Sequence, residues 1–362
     1  MMTPKKWIIT VFSLSTMIFF LMGYIVYWYD PYCYYRIPQN RLIVNNYRFL
    51  NAGIIKNAAY DTVVIGSSMV QNFDMNLFRE KLNMNPVKLT VGALSIEGVE
   101  TIYSAVEKRG MAKNIILCID IPALNREKDE LKVYPLYLYD DNKLNDFRYL
   151  YGYETWMRLL PLNCLFNFLD YSGYQLPQFY GTHDIDNIGA WDQDATYGEE
   201  IVLNDYWKGV NQVSAQGLDD IERRIRNNVD KLIDVLFELD RPGFSDKEYI
   251  FFFPPYSVLF WSDATKMGYF DHFQSAKKYA VERLSEHCHV KVFDFQALPE
   301  IMNLNNYKDA THYSAKINDL MIECFASYYM IVDSKGIESN IDRLKSMVAL
   351  FDLYLQSRPT SQ

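Results

Sequence analysis

The sequence predicts an α/β protein with a parallel sheet covered by helices on both faces. Three observations carry this. Short β-branched or aromatic runs stop at glycine or polar residues, helical patterns with apolar residues three and four apart separate them, and 362 residues are enough to bury a sizeable core. Apolar residues make up 49% and charged residues 22% of the chain, with only 16 Gly and 13 Pro, which excludes a collagen-like or wholly disordered polypeptide.

In chain order, the first feature is Trp7 to Tyr29, a stretch without a charged residue. As a helix it would be roughly 35 Å long, enough to cross the hydrocarbon layer. Lys5 and Lys6 precede it, and Tyr24, Tyr27, Trp28 and Tyr29 crowd its far end, where amphipathic rings meet lipid headgroups. The residues at that end are too large for a signal-peptidase site, so the expectation is an uncleaved anchor. Arg36, Arg41 and Arg48 partly offset the lysines, and the favoured orientation keeps the short tail inside and the large domain outside. The expected division is 1–30 for tail and anchor, 31–59 for a juxtamembrane segment, 60–330 for the main domain, and 331–362 for a terminal amphipathic helix and tail.

Five strands are expected in the main domain: Thr62 to Ile65 ending at Gly66, Val87 to Val91 ending at Gly92, Asn114 to Ile119, Tyr249 to Phe253, and Val290 to Phe293. Helices are expected at Ile96–Lys108, Asp219–Leu239 (closed by Arg241, Pro242 and Gly243) and Phe273–Glu286. Ile337, Ile341, Leu344, Val348, Phe351 and Leu355 mark the terminal amphipathic helix. Between the third strand and the long helix, roughly 90 residues at about 125–218 lack clear periodicity and are rich in Tyr, Trp, Asp and Asn. They read as an inserted subdomain or lid, because a structureless loop of that length is rare.

With 36 Lys and Arg against 45 Asp and Glu, the net charge is −9 and no basic stripe compensates, which argues against nucleic-acid binding. The five cysteines (Cys33, Cys118, Cys164, Cys288, Cys324) are odd in number and lack a C-x-x-C pair, so neither a disulfide framework nor a structural zinc site is read. His287-Cys288-His289 offers soft ligands without an evident third, and reads as the approach to a strand. The acidic run Asp184, Asp186, Asp192, Asp194, Glu199, Glu200 lacks a full calcium-loop pattern and reads as solvated surface. No cofactor or metal is expected. Trp156, Tyr180, Trp191, Tyr206 and Trp207 in the insertion suit either stacking on sugar rings or ordinary lid packing, with packing the first reading.

The chemistry-bearing segment is TVVIGSSMVQNFD: a buried strand delivers Ser67 and Ser68 just before a helix, at the carboxyl edge of the sheet. A serine hydroxyl needs a base, and an imidazole base needs a carboxylate to fix its tautomer. His312 in NYKDATHYS follows the fifth strand, with Asp309 three residues before it, and loops after strand carboxyl ends converge on one edge. The alternative is that Ser67, Ser68 and Asp309 merely cap helices while His312 bonds locally. That would not explain why both sites fall on the same edge.

GSSM at Gly66–Met69, Asp309-x-x-His312 before a late helix, and Gly92 after the second strand resemble the SGNH/GDSL hydrolase superfamily. The GSS followed by Phe73-Asp74 and the single amino-terminal anchor are most similar to its membrane-anchored branch, which includes the D-alanyl lipoteichoic acid transfer (DltD-like) and alginate O-acetylation proteins. The resemblance covers roughly 61–125 and 219–330. It implies a flavodoxin-like three-layer sandwich with a five-stranded parallel sheet, Ser68 as nucleophile, His312 as general base, Asp309 as its orienter, and the N–H groups of Ser68 and Gly92 as an oxyanion hole. The family's third donor, an asparagine in a G-x-N-D block, is missing. This chain reads CIDIPALNRE there, placing Asp120 near the site and Asn125 further along. The activity implied is a membrane-anchored extracytoplasmic acyltransferase or esterase, an SGNH-type serine enzyme acting on a cell-surface glycopolymer, partnered by an MBOAT-type membrane acyltransferase. The alternative is a non-catalytic assembly or polysaccharide-binding subunit of the same fold, for which the missing asparagine speaks.

Overall fold

The computed structural model describes residues 3–37, 43–44, 46–125, 134–159, 181–182, 184–207, 218–237 and 247–358. Chain order gives α1 (Pro4–Tyr29), β1 (Ile43–Val44), α2 (Tyr47–Asn57), β2 (Thr62–Gly66), α3 (Met75–Leu82), β3 (Pro86–Thr90), α4 (Ile96–Arg109), β4 (Asn114–Cys118) and α5 (Ile121–Leu124). There follow α6 (Phe147–Tyr151), α7 (Tyr153–Leu159), β5 (Gly181–Thr182), α8 (Glu199–Trp207), α9 (Leu218–Phe237), β6 (Glu248–Phe253), α10 (Val258–Lys266) and α11 (Phe270–Leu284). The last elements are β7 (Val290–Asp294), α12 (Ala315–Ser327), β8 (Ile331–Val332) and α13 (Ile337–Ser357). Arg41, Cys164, Tyr180, Leu239, Arg241, Pro242, Gly243 and the Trp207 side chain lie outside the described residues.

The chain divides into two compact units, 1–58 with 133–185, and 59–132 with 186–362. The expected insertion of 125–218 is therefore not one body. Its first part builds on the segment that carries α1, and its second part belongs with the sheet. The segment 31–59 does not stand apart, since α2 packs within the first unit, and the terminal helix α13 packs within the second, against α10 and α11.

The sheet of the second unit has the order β3-β2-β4-β6-β7-β8. Its first five strands are parallel and correspond to the five runs read from the sequence, whereas β8 pairs antiparallel with β7 through Val292–Val332 and Phe293–Ile331. The expectation of a five-stranded, wholly parallel sheet is thus corrected to a mixed six-stranded one. The extra strand has only two residues, reached through left-handed Tyr328 (φ 58°) and Met330 (φ 68°), and two residues leave no periodic signal.

The central parallel strands β2, β4 and β6 are nearly continuous apolar runs because both faces are covered, while Lys88 and Lys291 interrupt β3 and β7. On β6, Tyr249 and Phe251 meet Phe237 of α9, and the Tyr249 hydroxyl bonds that of Tyr103 on α4 at 2.9 Å. Phe252, between them, faces the opposite way and joins Phe73, Phe295 and Phe325 of α12. That alternation is the period-two geometry of a strand. Much of the phenylalanine content is thereby accounted for as core. Polar groups that enter the core are paired: the Lys277 ammonium meets the Asp294 carboxylate at 2.9 Å with both side chains fully buried.

The first unit holds α1, whose 26 residues are long and apolar enough to span a bilayer and are almost all exposed, only Gly23 and Val26 being buried. At its end, Asp30 adopts a left-handed conformation, and its buried carboxylate accepts the backbone N–H groups of Tyr34, Tyr35 and Arg36 and the hydroxyl of Tyr149. Burial raises its pKa, against the pull of those four donors. Around it cluster Val26, Tyr32, Tyr34, Val44, Ala52, Leu138 and Tyr149. β1 and β5 form a two-stranded antiparallel ribbon.

Candidate active site

Ser68 follows β2 at the carboxyl edge of the sheet. Gly66 before it is required by close approach: a Cβ there would meet Val70 at 2.7 Å and the Cys118 Cβ at 2.8 Å. Ser68 does not open an α-helix as expected. It begins a single 3₁₀ turn, Ser68–Val70, and α3 starts only at Met75, capped by the Asp74 carboxylate on the Asn76 and Leu77 N–H groups. The turn is held from below by the buried Lys88 ammonium, which donates to the carbonyls of Gln71 (2.7 Å) and Phe73 (3.3 Å).

His312 reaches Ser68 across 244 positions of sequence, with Nε2 at 2.9 Å from Oγ. On the other side of the ring, Nδ1 lies 2.8 and 3.0 Å from the two carboxylate oxygens of Asp309. A carboxylate accepts, so the proton sits on Nδ1, and Nε2 keeps its lone pair for the Ser68 hydroxyl. Asp309 is not a helix cap. Its Oδ1 accepts the N–H groups of Thr311 and His312, a local turn that aims its own imidazole partner. Burial would raise the Asp309 pKa, but the His312 hydrogen bond and charge and the two N–H donors hold it at about 2.

Two ties join the loops that carry His312 and Ser68. Tyr313, next to His312, donates its hydroxyl to the carbonyl of Met69, next to Ser68, at 2.9 Å, and Asn318 donates to the same carbonyl at 3.1 Å. The histidine loop is closed by a Tyr307–Tyr313 bridge, and Ala310 accepts from both the N–H and the hydroxyl of Ser257.

The expected oxyanion donors are present as free groups: among the described residues, neither the Ser68 N–H nor the Gly92 N–H donates to a protein acceptor. The ends of β2 and β3 are laced just behind them by Val91 N–H to Gly66 O (3.1 Å) and Thr90 Oγ1 to Ser67 O (3.0 Å). Gly92 is exposed, with nothing within 4 Å of where its Cβ would stand, and Ala93 after it is left-handed at φ 54°. Asn125 spends its side-chain oxygen on Arg224 of α9. Asp120 is engaged, accepting from Ser67 Oγ (3.3 Å), the Tyr256 hydroxyl and the Ala123 N–H. Burial first, and the Asp120 charge second, keep the Tyr256 phenol protonated and donating. Ser67 also accepts the Met69 N–H, so its hydroxyl is a structural link. Behind it, a cavity of about 20 Å³ lined by Leu94, Ile96, Leu117 and Leu124 has room for one water-sized group.

One residue of the insertion joins the site. The Trp191 indole stands edge-to-face with the His312 ring at 5.6 Å, and the Lys308 ammonium lies 3.7 Å from the indole centroid. Burial lowers the Lys308 pKa, with Asp309 opposing. Asn72, from the serine loop, accepts the N–H groups of Trp191 and Asp192, while Asp192 accepts the Ala315 N–H at the start of α12. Thus the Trp191–Asp192 backbone is pinned from both the serine-bearing loop and the segment after His312. Of its companions, Trp156 donates to Leu150 in the first unit and Tyr206 to Asp263. From sequence, nothing distinguished Trp191; Asn72 four residues after Ser68 is the only signal, and it becomes readable once its partners are known.

The His287–His289 stretch is the approach to a strand: both histidines precede β7 in a turn where His289 is left-handed (φ 65°), His287 stacks on Phe237, and His289 faces Glu248. Among the described residues, no three His, Cys, Asp or Glu side chains gather as metal ligands. Nor is the acidic run a solvated surface throughout, because Asp186 takes both terminal nitrogens of Arg79 and Glu199 pairs with Arg358. Cys33, Cys118, Cys288 and Cys324 are free thiols, with only Cys288 exposed.

No family model matches the chain, and no curated protein matches it.

Proposed function

We propose that the protein is a membrane-anchored serine esterase or O-acyltransferase of SGNH type, with a flavodoxin-like sandwich, working through an acyl-Ser68 intermediate. The single observation that carries this reading is the Ser68–His312–Asp309 line, with hydrogen-bond distances of 2.9 and 2.8 Å. In it, Ser68 Oγ attacks an ester carbonyl as Nε2 takes its proton, and Asp309 stabilises the resulting imidazolium. The N–H groups of Ser68 and Gly92 receive the negative charge developing on the carbonyl oxygen. His312 then returns the proton to the leaving alcohol. In the second half, water or an acceptor hydroxyl loses its proton to the same nitrogen and attacks the acyl-enzyme, giving hydrolysis or transfer.

The apolar α1 supports a cell-membrane location with a single pass and the sheet-bearing unit outside the cytoplasm. On this reading the acceptor is a cell-surface glycopolymer and the acyl donor, acetyl as the first guess, arrives from an MBOAT-type membrane acyltransferase. Trp191, partly exposed beside the base, is the aromatic side chain at the site on which a pyranose ring would stack. The carboxylate of Asp120, where a third oxyanion donor would stand in related enzymes, favours a second reading, an assembly subunit that does not turn over.

An activated acetate ester separates the two. The purified full-length chain should release the chromophoric alcohol, and release should vanish in both Ser68→Ala and His312→Ala. Equal rates in wild type and Ser68→Ala would end the enzymatic reading in favour of the subunit.

A further inference from the structure

The two buried residues of α1, Gly23 and Val26, lie under α6. Tyr151 stacks on Phe19 with ring centroids 4.1 Å apart and planes 8° from parallel, and any Cβ at Gly23 would overlap the Tyr151 hydroxyl. Tyr149, two residues earlier, clusters with Val26 and bonds Asp30 just past the helix end. At about 1.5 Å per residue, Phe19 and Gly23 lie roughly 9 to 15 Å inside the Tyr29 end of α1. If α1 crosses a hydrocarbon layer about 30 Å thick with its Tyr24–Tyr29 end at the headgroups, α6 lies beside that end and the Tyr151 ring reaches down to Phe19, about 8 Å below Tyr24.

The outer surface of this segment suits that depth. Phe147, Tyr153 and Met157 are 58%, 76% and 40% exposed and continue the lipid-facing surface of α1. Its two described carboxylates are paired with protein: Glu154 accepts from Asn46 at 2.7 Å and Asp146 from the Tyr34 hydroxyl at 2.9 Å, while Arg148 is exposed and can carry its guanidinium up to the headgroups. The break between α6 and α7 would free backbone carbonyls, which hydrocarbon does not tolerate. Here the Trp156 indole N–H takes the Leu150 carbonyl at 2.9 Å and the Trp156 backbone N–H takes that of Gly152.

We propose that α6 and α7 are a second membrane-embedded element, a helical pair that dips into one leaflet beside α1 with lipid acyl chains as the occupant of its Phe147/Tyr153/Met157 face. This rests on reading α1 as a bilayer span. It makes the first unit a partly submerged platform, whereas a simple tether would leave everything after Tyr29 in water.

The test uses the full chain in vesicles of equimolar phosphatidylethanolamine and phosphatidylglycerol, with Cys164→Ser and Cys288→Ser as background. Single nitroxides are placed by Phe147→Cys, Tyr153→Cys or Met157→Cys, by Phe12→Cys or Phe20→Cys on α1, and by Glu286→Cys as the aqueous reference. The ratio of oxygen to nickel-chelate accessibility should be several-fold higher at positions 147, 153 and 157 than at 286, and close to that at 20. Lipid-like values at 12 and 20 with aqueous values at 147, 153 and 157 would overturn the proposal and leave the span intact. Aqueous values at 12 and 20 as well would overturn the span itself. Shielding of 147, 153 and 157 from both reagents would mean that protein covers this face, which also overturns it. In the unsubstituted chain, a photoactivatable lipid should label the peptide containing Tyr153, and labelling confined to α1 would contradict it.

Discussion

The two units of this chain solve the same problem, burying polar atoms beside aromatic rings, for different ends. In the first, the Asp30 carboxylate is saturated by three backbone N–H groups and the Tyr149 hydroxyl, so nothing is left to react. In the second, Asp309 takes two backbone N–H groups and the Nδ1 side of His312, and the opposite ring nitrogen is left aimed at a hydroxyl. Saturation builds a fixed joint; the second network instead ends on an imidazole aimed at a hydroxyl, the arrangement the proposed chemistry needs. The difference lies in whether the network ends on backbone or on a half-exposed serine.

Substitutions can sharpen or break that contrast. Ser68→Ala should cost at least about 10³-fold in ester turnover, and adding His312→Ala should cost little more, because the two act as one unit. Steady-state rates on an activated ester check this, and additive losses would contradict it. Asp309→Asn should lower turnover by about 10²-fold or more while leaving the fold intact, since an amide in that place favours the wrong imidazole tautomer. Asp309 also sets a pH dependence of stability. Its folded pKa of about 2 lies below the ordinary 3.8, so the stabilisation, about 2 kcal/mol, is complete above the unfolded value and is lost as pH falls through about 2. Acid unfolding of wild type and Asp309→Asn should therefore converge below pH 2, and a constant gap would refute it.

On the saturated side, Asp30→Ala should destabilise the first unit by about 3 kcal/mol, because four donors lose their acceptor, yet leave turnover by the second unit within a few fold. Hydrogen exchange should accelerate at the amides of Tyr34, Tyr35 and Arg36. Unchanged exchange would show the network to be dispensable. The smallest effect is expected from Tyr313→Phe. It removes one hydrogen bond to Met69 at about 1 kcal/mol, lowering the melting temperature by about 2 to 4 °C, with a modest drop in turnover readable as a fall in kcat without a rise in KM.

Legibility in the sequence followed the same divide. The five parallel strands were readable because burial on both faces favours apolar, β-branched and aromatic runs, continuous in TVVIG and YIFFF and interrupted by a single lysine in PVKLT and VKVFD. Ser68, His312 and Asp309 were readable because strand ends converge on one edge, so a local motif predicts a non-local meeting. β8 was not, since its pairing is fixed by left-handed Tyr328 and Met330 and by only two ladder residues. The split of the insertion was not either. Tyr149, Tyr151 and Trp156 look like any aromatic run until their partners Asp30, Phe19 and Leu150 are known, and those contacts follow neither helical nor strand spacing. Trp191 was hidden for a similar reason: it is positioned through its backbone N–H on Asn72, a bond to which its side chain contributes nothing.

The most direct measurement is covalent capture. The full-length chain, treated with a fluorophosphonate that reacts only with activated serine hydroxyls, should carry one adduct, located by peptide mass spectrometry on Ser68 and abolished by His312→Ala. An unmodified chain, or an adduct on Ser67 or elsewhere that persists without the imidazole, would contradict the account.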